Sequence, residues 1–514
     1  MLTSLPDDIL LCILHFLDIR NLLTLRKTCR ALHAFGGSDY VWHRVVSKLS
    51  IPLDLPANTP PTSLHSEELQ PLVLKALKLD ENWQRPQTRV CRFRALIDDR
   101  CGQYVDQMQF LPGGKWLWTA QRILKRESWY TRMSLWSLDH ADSTRRVWST
   151  ETCGIYRSCT VIQDPDGESA KLVVGVCDHR EVIEVHDISL RDIVTSAQYP
   201  VFPTYPAIPP TNSRQIHIVP HPEAPHLRPI IHEIAAHDRL LVVTIFALDT
   251  GGGAGSLQIL FADPETGSTK WVDPTFAQPF SFMWVRIWED YLFLIGEVQS
   301  VTPGEMREEF VIRVYRMPDP FPPTPSRTPS PPAVVPSVAV DPSHVEYAYT
   351  SLGDMLAEFK GPRTIAVPGH HIAHVSLTTS APSLAAIMFY HSVHPHCAQL
   401  LRFSFDVSDD TVKLSSLSSK DFTIGNEASA QLAQVGAQGV RAVWLEHNWE
   451  TQLNRVMKLA YDPATGEAKV GMLIPPDPEL PFTPNMCHSL ALDEVSGRLC
   501  LGMYDGDVYL LDFV

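Results

Sequence analysis

Histidine invites the first chemical reading of this sequence. His370, His371 and His374 stand close together, and so do His394, His396 and Cys397. Imidazole and thiolate groups are zinc ligands, but a zinc site needs four of them to converge. Only His370 and His374 have the spacing of one helix face, and Pro368-Gly369 beside them favours a loop. Surface or hydrogen-bonded histidines are therefore expected, with no metal. His217, His221, His226 and His232 are spread through a Pro-rich stretch of strand and loop and read the same way. The sequence holds no G-x-S-x-G, no P-loop and no G-x-G-x-x-G ahead of a helix. Gly251-Gly252-Gly253-Ala254-Gly255 reads as a hairpin loop, because no helix follows to hold a phosphate. Trp116, Trp118, Trp284, Trp288 and Trp444 read as strand packing rather than as a ligand cage. No catalytic residue and no cofactor are expected.

The elements that must carry such residues follow from composition and pattern. At 514 residues the chain has room for two or more domains. Hydrophobic content of 44% and charged content of 20% are those of globular protein. A formal charge of −15 argues against a general nucleic-acid or anionic-membrane binder. The ten Cys are scattered without a C-x-x-C pair, and Met1 leads into a helix without a basic leader. Reduced thiols in cytosol or nucleus are the expectation. The apolar runs ILLCILHFL and RLLVVTIFAL are too short to cross a membrane.

Residues 1–50 read as three short helices. Leu5, Ile9, Leu10, Ile13, Leu14, Phe16 and Leu17 have helical spacing, with Ile9, Ile13, Phe16 and Leu17 on one side and Leu10 and Leu14 on another. Pro6 suits the first helical position, and Asp7 and Asp8 favour the positive end of the helix dipole. Asp18 can cap a second helix carrying Leu22, Leu23 and Leu25. After Gly36-Gly37, Ser38 or Asp39 caps a third with Trp42, Val45 and Val46. So small a unit makes a poor core alone and must pack on the rest of the chain or on another protein.

This stretch resembles an F-box. The resemblance rests on Leu5-Pro6, Ile9, Ile13, Leu17-Asp18, Leu22-Leu23, Cys29-Arg30 and Trp42 in that order, with Asp8 where many members have Glu. It covers only the first fifty residues. It implies docking onto the Skp-type adapter of a cullin-based ubiquitin ligase, through Leu5, Pro6, Ile9, Ile13, Leu17, Leu22, Leu25 and Trp42.

Residues 51–100 read as a linker with a bracing helix: Pro-rich 51–62, then a helix capped by Ser66 whose start Pro71 limits, then an entry strand or linker over 84–100. From about residue 101 to 514, short apolar or alternating runs recur in seven groups, beginning YVDQMQF, KWLWTAQ, RMSLWSLD and ending CHSLALDEVSGRLCLGMYDGDVYLLDFV. Self-similarity at about 40–60 residues marks a propeller. Asp263-Pro264-Glu265-Thr266-Gly267 and Asp462-Pro463-Ala464-Thr465-Gly466 read as one turn used twice. Leu135-Trp136-Ser137-Leu138-Asp139 and the final segment look like WD-repeat pieces, though the Gly-His and Trp-Asp signatures are largely missing. The expectation is a multidomain chain: a small all-α F-box, then a divergent all-β propeller. Seven blades are expected, with six or eight as alternatives. A sandwich or barrel reading would need several domains where the propeller needs one. The last strand, at the C-terminus, is expected to pair with the stretch around 90–100 and close the ring. Residues 317–343, MPDPFPPTPSRTPSPPAVVPSVAVDPS, read as a disordered loop with Thr324, Thr328 and Ser330 as candidate proline-directed sites.

The functional expectation is a non-catalytic substrate receptor: the F-box binds the adapter and the propeller binds an unknown protein substrate. A scaffold that drives no degradation and a propeller hydrolase or lyase are the alternatives. The enzyme reading requires a polar cluster on the inner strands of several blades, which the sequence alone does not locate.

Overall fold

A computed structural model describes residues 5–55, 59–97, 104–111, 114–138, 145–163, 169–190, 213–222, 224–237, 240–249, 256–272, 280–302, 305–321, 350–361, 370–377, 383–390, 397–408, 411–424 and 427–514. Most of 317–343, with its three candidate sites, lies outside them, as do Gly251–Gly255, His394 and His396.

Four helices, not three, open the chain: α1 (Asp7–His15), α2 (Ile19–Arg26), α3 (Arg30–Phe35) and α4 (Asp39–Lys48). Pro6 is the N-cap of α1 rather than its first residue. Asp18 caps α2 as its type suggests, its Oδ1 accepting from the Asn21 N–H at 2.7 Å. The additional helix, α3, has only six residues, RALHAF, and its buried residue is Leu32. The unit packs around Trp42, which is fully buried and donates from Nε1 to the Gly36 carbonyl at 3.1 Å. Leu14, Leu22, Val41 and Val46 share that core with Leu69 and Val73.

Leu69 and Val73 belong to α5 (Ser66–Gln84), whose N-cap is His65. Pro71 lies inside this helix and does not limit its start. An interior proline costs about 3 kcal/mol. Burial of Leu69, Val73, Leu79 and Trp83 outweighs it, at about 1.5–3 kcal/mol per large apolar side chain. The N-terminus is also held: Glu68 Oε2 accepts from the His65 N–H at 3.0 Å, and Asp39 Oδ1 accepts from the Ser66 N–H at 2.6 Å. That Ser66 bond, then His65, keeps the Asp39 carboxyl below its usual range. Leu79 and Trp83 pack in the core of the last two blades.

The strands form seven four-stranded antiparallel sheets among the described residues. Blade one is β2 (Val105–Phe110), β3 (Trp116–Lys125), β4 (Ser128–Ser137) and β5 (Arg145–Cys153). Blade two is β6 (Ile155–Gln163), β7 (Ser169–Cys177), β8 (Glu181–Ser189) and β9 (Ser213–His217). Blade three is β10 (Leu227–His237), β11 (Leu240–Asp249), β12 (Ser256–Ala262) and β13 (Thr269–Trp271). Blade four is β14 (Phe280–Trp288), β15 (Tyr291–Thr302), β16 (Glu305–Arg316) and β17 (Met355–Lys360). Blade five is β18 (His370–Leu377), β19 (Ser383–Tyr390), β20 (Cys397–Ser408) and β21 (Thr411–Thr423). Blade six is β22 (Ala428–Val435), β23 (Arg441–Asn448), β24 (Leu453–Asp462) and β25 (Glu467–Ile474). Blade seven takes β26 (Cys487–Asp493), β27 (Arg498–Met503) and β28 (Val508–Asp512) from the end of the chain and β1 (Arg92–Ile97) from its start. Arg92 pairs with Asp512, Phe93 with Leu511 and Arg94 with Leu510, so β1 is the outermost strand and closes the ring.

The two D-P-x-T-G turns have one geometry at one place, between the third and fourth strands of blades three and six. The Asp263 and Asp462 side chains accept from the Glu265 and Ala464 N–H groups at 2.8 and 2.9 Å. Gly267 and Gly466 take φ of 74° and 69°. In blade one Trp136 Nε1 donates to Thr119 Oγ1 at 3.1 Å, which fixes the third strand to the second.

Every inner strand is bulged against its second strand. The breaks fall at Asp106, Arg157, His232, Ser281, Ala373, Leu432-Ala433 and His488. A bulge turns a side chain out of the alternation and sharpens the twist. Hydrogen bonds then stitch the blades around the ring. Tyr156 OH bonds Gln107 Oε1; Ser158 Oγ accepts from Ile234 N–H at 3.1 Å; Glu233 Oε2 accepts from Val285 N–H at 2.8 Å. Arg286 Nη2 donates to the Val375 carbonyl at 2.8 Å, and His374 Nδ1 accepts from Val435 N–H at 3.1 Å. The buried Glu494 carboxylate accepts from the N–H groups of Gln438, Val440 and Arg441, and Ser489 Oγ donates to the Val105 carbonyl at 3.0 Å.

Among the described residues no helix is long and apolar enough to cross a membrane.

Candidate functional site

The helical unit carries a face of its own. On α1, Leu14 turns into the core around Trp42 and Leu10 is also buried, while Pro6, Ile9 and Phe16 point outward with Leu5 and Ile13 half-buried beside them. Ile9 is 43% exposed and Phe16 86%. Residues 9, 13 and 16 are spaced i, i+4, i+7, so the exposed apolar groups form a strip along one side of α1. Asp7 and Asp8 flank its start and are exposed.

The eight residues singled out by the F-box resemblance divide on this face. Leu5, Pro6, Ile9 and Ile13 lie along the strip. Leu17 follows the end of α1 and turns back to pack, half-buried, against the core, as does Leu25. Leu22 and Trp42 are 2% and 0% exposed and offer no surface to a partner in this conformation. Their work is to hold α1 against α4. Phe16, the C-cap of α1, and Tyr40 on α4 are the exposed aromatic groups of this unit that the family pattern did not single out. The helical period alone had placed Phe16 with Ile9 and Ile13.

The strip is joined to the ring by α5. Trp83 Nε1 donates to the Leu459 carbonyl at 3.0 Å, and its ring meets Phe513 edge-on at 5.4 Å. Asn82 Nδ2 donates to the Phe513 carbonyl at 2.8 Å. Arg441, buried, reaches Asp80 Oδ1 at 3.3 Å and the Glu494 carbonyl at 2.9 Å. Lys458 Nζ closes the last turn of α5, donating to the Trp83 and Arg85 carbonyls at 2.6 and 2.5 Å. Burial pushes that ammonium down to about 8. Gly497, with φ of 72°, lets Leu79 approach where a Cβ would sit 2.5 Å from Leu79 Cδ1.

The histidines separate in the same way. His221 is buried with its ring 5.1 Å from Trp271, and His226 is exposed. His374 is pushed down to about 3 by burial and then by Arg286, so it is a neutral acceptor in the blade five to six junction. Among the described residues no three His, Cys, Asp or Glu groups are placed to hold a metal ion. Trp118 and Trp444 are buried between strands and Trp288 meets Phe405 edge-on at 4.9 Å, as strand packing predicts. Trp284 differs. It stands on an inner strand beside His232, Phe282 and His374.

An F-box-like family description matches residues 2–48. No curated protein matches the chain in sequence. Among solved structures, one of two prolyl endopeptidases is 11% identical at a TM-score of 0.37, over 78% of this chain and 46% of that one. The chain thus spans less than half the length of that peptidase. Drosophila Semaphorin 1b, extracellular domains 1–2, is 9% identical at a TM-score of 0.40, over 84% of this chain and 88% of that one. The WD40 domain of SCAP from fission yeast is 8% identical at 0.34, over 82% and 94%. The blade count rests on the strand pairing of this chain itself. The chain thus carries an F-box-like unit at residues 2–48, followed by a seven-bladed β-propeller among the described residues.

Proposed function

We propose that the chain is the substrate-receptor subunit of a cullin-based ubiquitin ligase. The strip of Pro6, Ile9, Ile13 and Phe16 docks a Skp-type adapter, the propeller holds a protein substrate, and the complex works in cytoplasm or nucleus. The observation that carries the reading is the strip itself: apolar groups left exposed along one helix of a unit too small to bury both sides of it. The joint through α5 supports it. A helix buried at one end among Trp42 and Val46 and at the other among Leu459 and Phe513 keeps the bound substrate at a fixed distance from the adapter. The work done is positioning, which raises the effective concentration of substrate lysines near the charged ubiquitin. Ligation chemistry belongs to the partner enzymes.

The test compares the intact chain with a double variant, Ile9→Glu with Phe16→Ser, as bait for proximity labelling with the proteasome blocked. Neighbours of the propeller should be labelled by each bait but carry ubiquitin chains only with the intact one. Equal ubiquitination of the labelled proteins in the two samples contradicts the reading.

A further inference from the structure

The strand that closes the ring also leaves an edge open. β1 is the outermost strand of blade seven, and among the described residues no strand lies along its outer side. It therefore presents backbone N–H and C=O groups that no ladder satisfies. None of its residues is fully buried, and Phe93 is 48% exposed. Such an edge is a template for another extended chain. Charge decides which chain fits.

Over 85–97 the sequence carries Arg85, Arg89, Arg92 and Arg94 and no carboxylate, in a chain whose formal charge is −15. Arg85 reaches Glu81 at 3.3 Å across exposed surface, a weak pair. The side chains of Arg89 and Arg92 are exposed and make no hydrogen bond or ion pair with the described residues. Asp512 stands opposite Arg92 in register but turns to Arg498 Nε at 4.0 Å and to the Val514 N–H. The other outermost strands differ. Arg214 of β9 is held by Asp187 and Glu265, Lys270 of β13 by the Pro320 carbonyl, and Lys360 of β17 by Glu358. β5, β21 and β25 bring carboxylates of their own, Glu151, Asp421 and Glu467. Edge cations keep like edges apart, and a second β1 would set arginine against arginine. The same charges favour an edge of opposite sign.

Side chains alternate along a strand, so Arg92 and Arg94 share one face of β1 and Phe93 lies on the other. A strand laid beside β1 meets arginine, phenylalanine and arginine in turn. Its matching residues are acidic, apolar and acidic. We propose that the free edge of β1 receives an extended segment of a partner protein in which acidic and apolar residues alternate. Backbone hydrogen bonds continue the sheet by one strand. Arg89 and Arg92 face the carboxylates, and Phe93 covers an apolar side chain. This contact does not rest on the adapter reading, because the strip on α1 takes no part in it.

The test is fluorescence anisotropy with the full-length chain and a short labelled peptide of alternating Glu and Val. Saturable binding is expected, with a Kd on the order of 100 μM at low salt that rises as salt is added. A peptide of the same composition with its Glu residues in one block should bind at least about tenfold more weakly, and alternating Lys and Val should not bind. Arg89→Glu with Arg92→Glu should reverse the preference, losing the acidic peptide and gaining the Lys-Val one. Those two side chains have no partners to lose, so the unfolding temperature of the variant should match that of the wild type. Absence of saturable binding by the wild-type chain overturns the proposal. So does equal binding of the blocked peptide or of a single-stranded oligonucleotide, which would reduce the contact to charge. A wild-type chain that sediments as a dimer dispersed by the peptide gives the edge to a second copy and overturns it as well. The wild-type preference among the three peptides decides the outcome without any variant.

Discussion

The helical unit and the ring solve the same problem, hiding apolar surface, in opposite ways. In the helical unit Ile9, Phe16 and Tyr40 stay exposed, and two of them share one side of one helix. In the ring the exposed large apolar groups are spread over several blades in ones and twos: Leu124 with its strand partner Trp129 in blade one, Leu248 in blade three, Val470 and Met472 in blade six. The ring closes on itself through β1 and β28, and each blade covers the next. The helical unit has one core around Trp42 and can bury only one side of α1. Dispersed exposure is ordinary for a folded surface, whereas a strip along one helix is left for a partner. Among the described residues α5 and the residues that hold it join the two regions.

That contrast can be broken from either side. Truncation after Asp505 removes β28, which lies between β27 and β1. Two strand partnerships are lost and β1 has no sheet to join, so the ring opens along unpaired edges. Insoluble or partly unfolded protein is expected, the largest effect of the series, measured by solubility and far-ultraviolet circular dichroism. A soluble truncation that melts as the full chain does would mean that closure is dispensable.

Trp42→Ala attacks the other region. Removing a fully buried indole with its bond to the Gly36 carbonyl should cost about 3–5 kcal/mol. The loss falls on α1 to α4, so hydrogen exchange there should rise while the amides of blades two to five stay protected. Exchange rising equally in those blades would mean that the two regions are one cooperative unit.

The smallest effect concerns a seam within the ring. His374 titrates near 3 in the folded chain against 6.5 for a free imidazole. Between these values the unfolded chain binds the additional proton, so the contribution of His374 is intact above about pH 6.5 and declines as pH falls toward 3. The charged groups against this seam are Arg286 and its partner Glu233. His374→Gln keeps an acceptor for the Val435 N–H without a titrating ring. Its unfolding free energy should therefore fall less steeply between pH 6.5 and 5 than that of the wild type. Parallel slopes in urea titrations would remove His374 from the account.

Much of this architecture was legible because it is written in apolar runs and turn residues. The seven groups of runs correspond to seven blades, and the paired Asp-Pro and Thr-Gly turns fall at equivalent places because backbone geometry demands those residue types. Some of the outer strands were not legible. β5, RRVWSTETC, and β21, TVKLSSLSSKDFT, carry polar residues through most of their length, because an outermost strand has a neighbour on one edge only. The inner strand β22, ASAQLAQV, was missed for the opposite reason: its core contacts are small alanines, which make no apolar run. Pro71 misled because the tertiary burial of α5 on two cores overrides a local helix-breaking preference. The strip on α1 followed from helical spacing, but the division of Leu22 and Trp42 from Ile9 and Pro6 needed the fold. Trp284 and His232 are 52 positions apart in sequence, and only the adjacency of β10 and β14 brings them together.

The central claim is that the exposed side of α1 is a docking face and not part of the fold's own stability. Calorimetric titration of a Skp-type adapter into the full-length chain and into the Ile9→Glu, Phe16→Ser variant tests it most directly, with thermal unfolding of each followed in parallel. The account predicts binding by the wild type, a loss of at least about a hundredfold in the variant, and the same unfolding temperature for the two. Equal affinity of the two proteins for the adapter, or a large drop in the unfolding temperature of the variant, would contradict it.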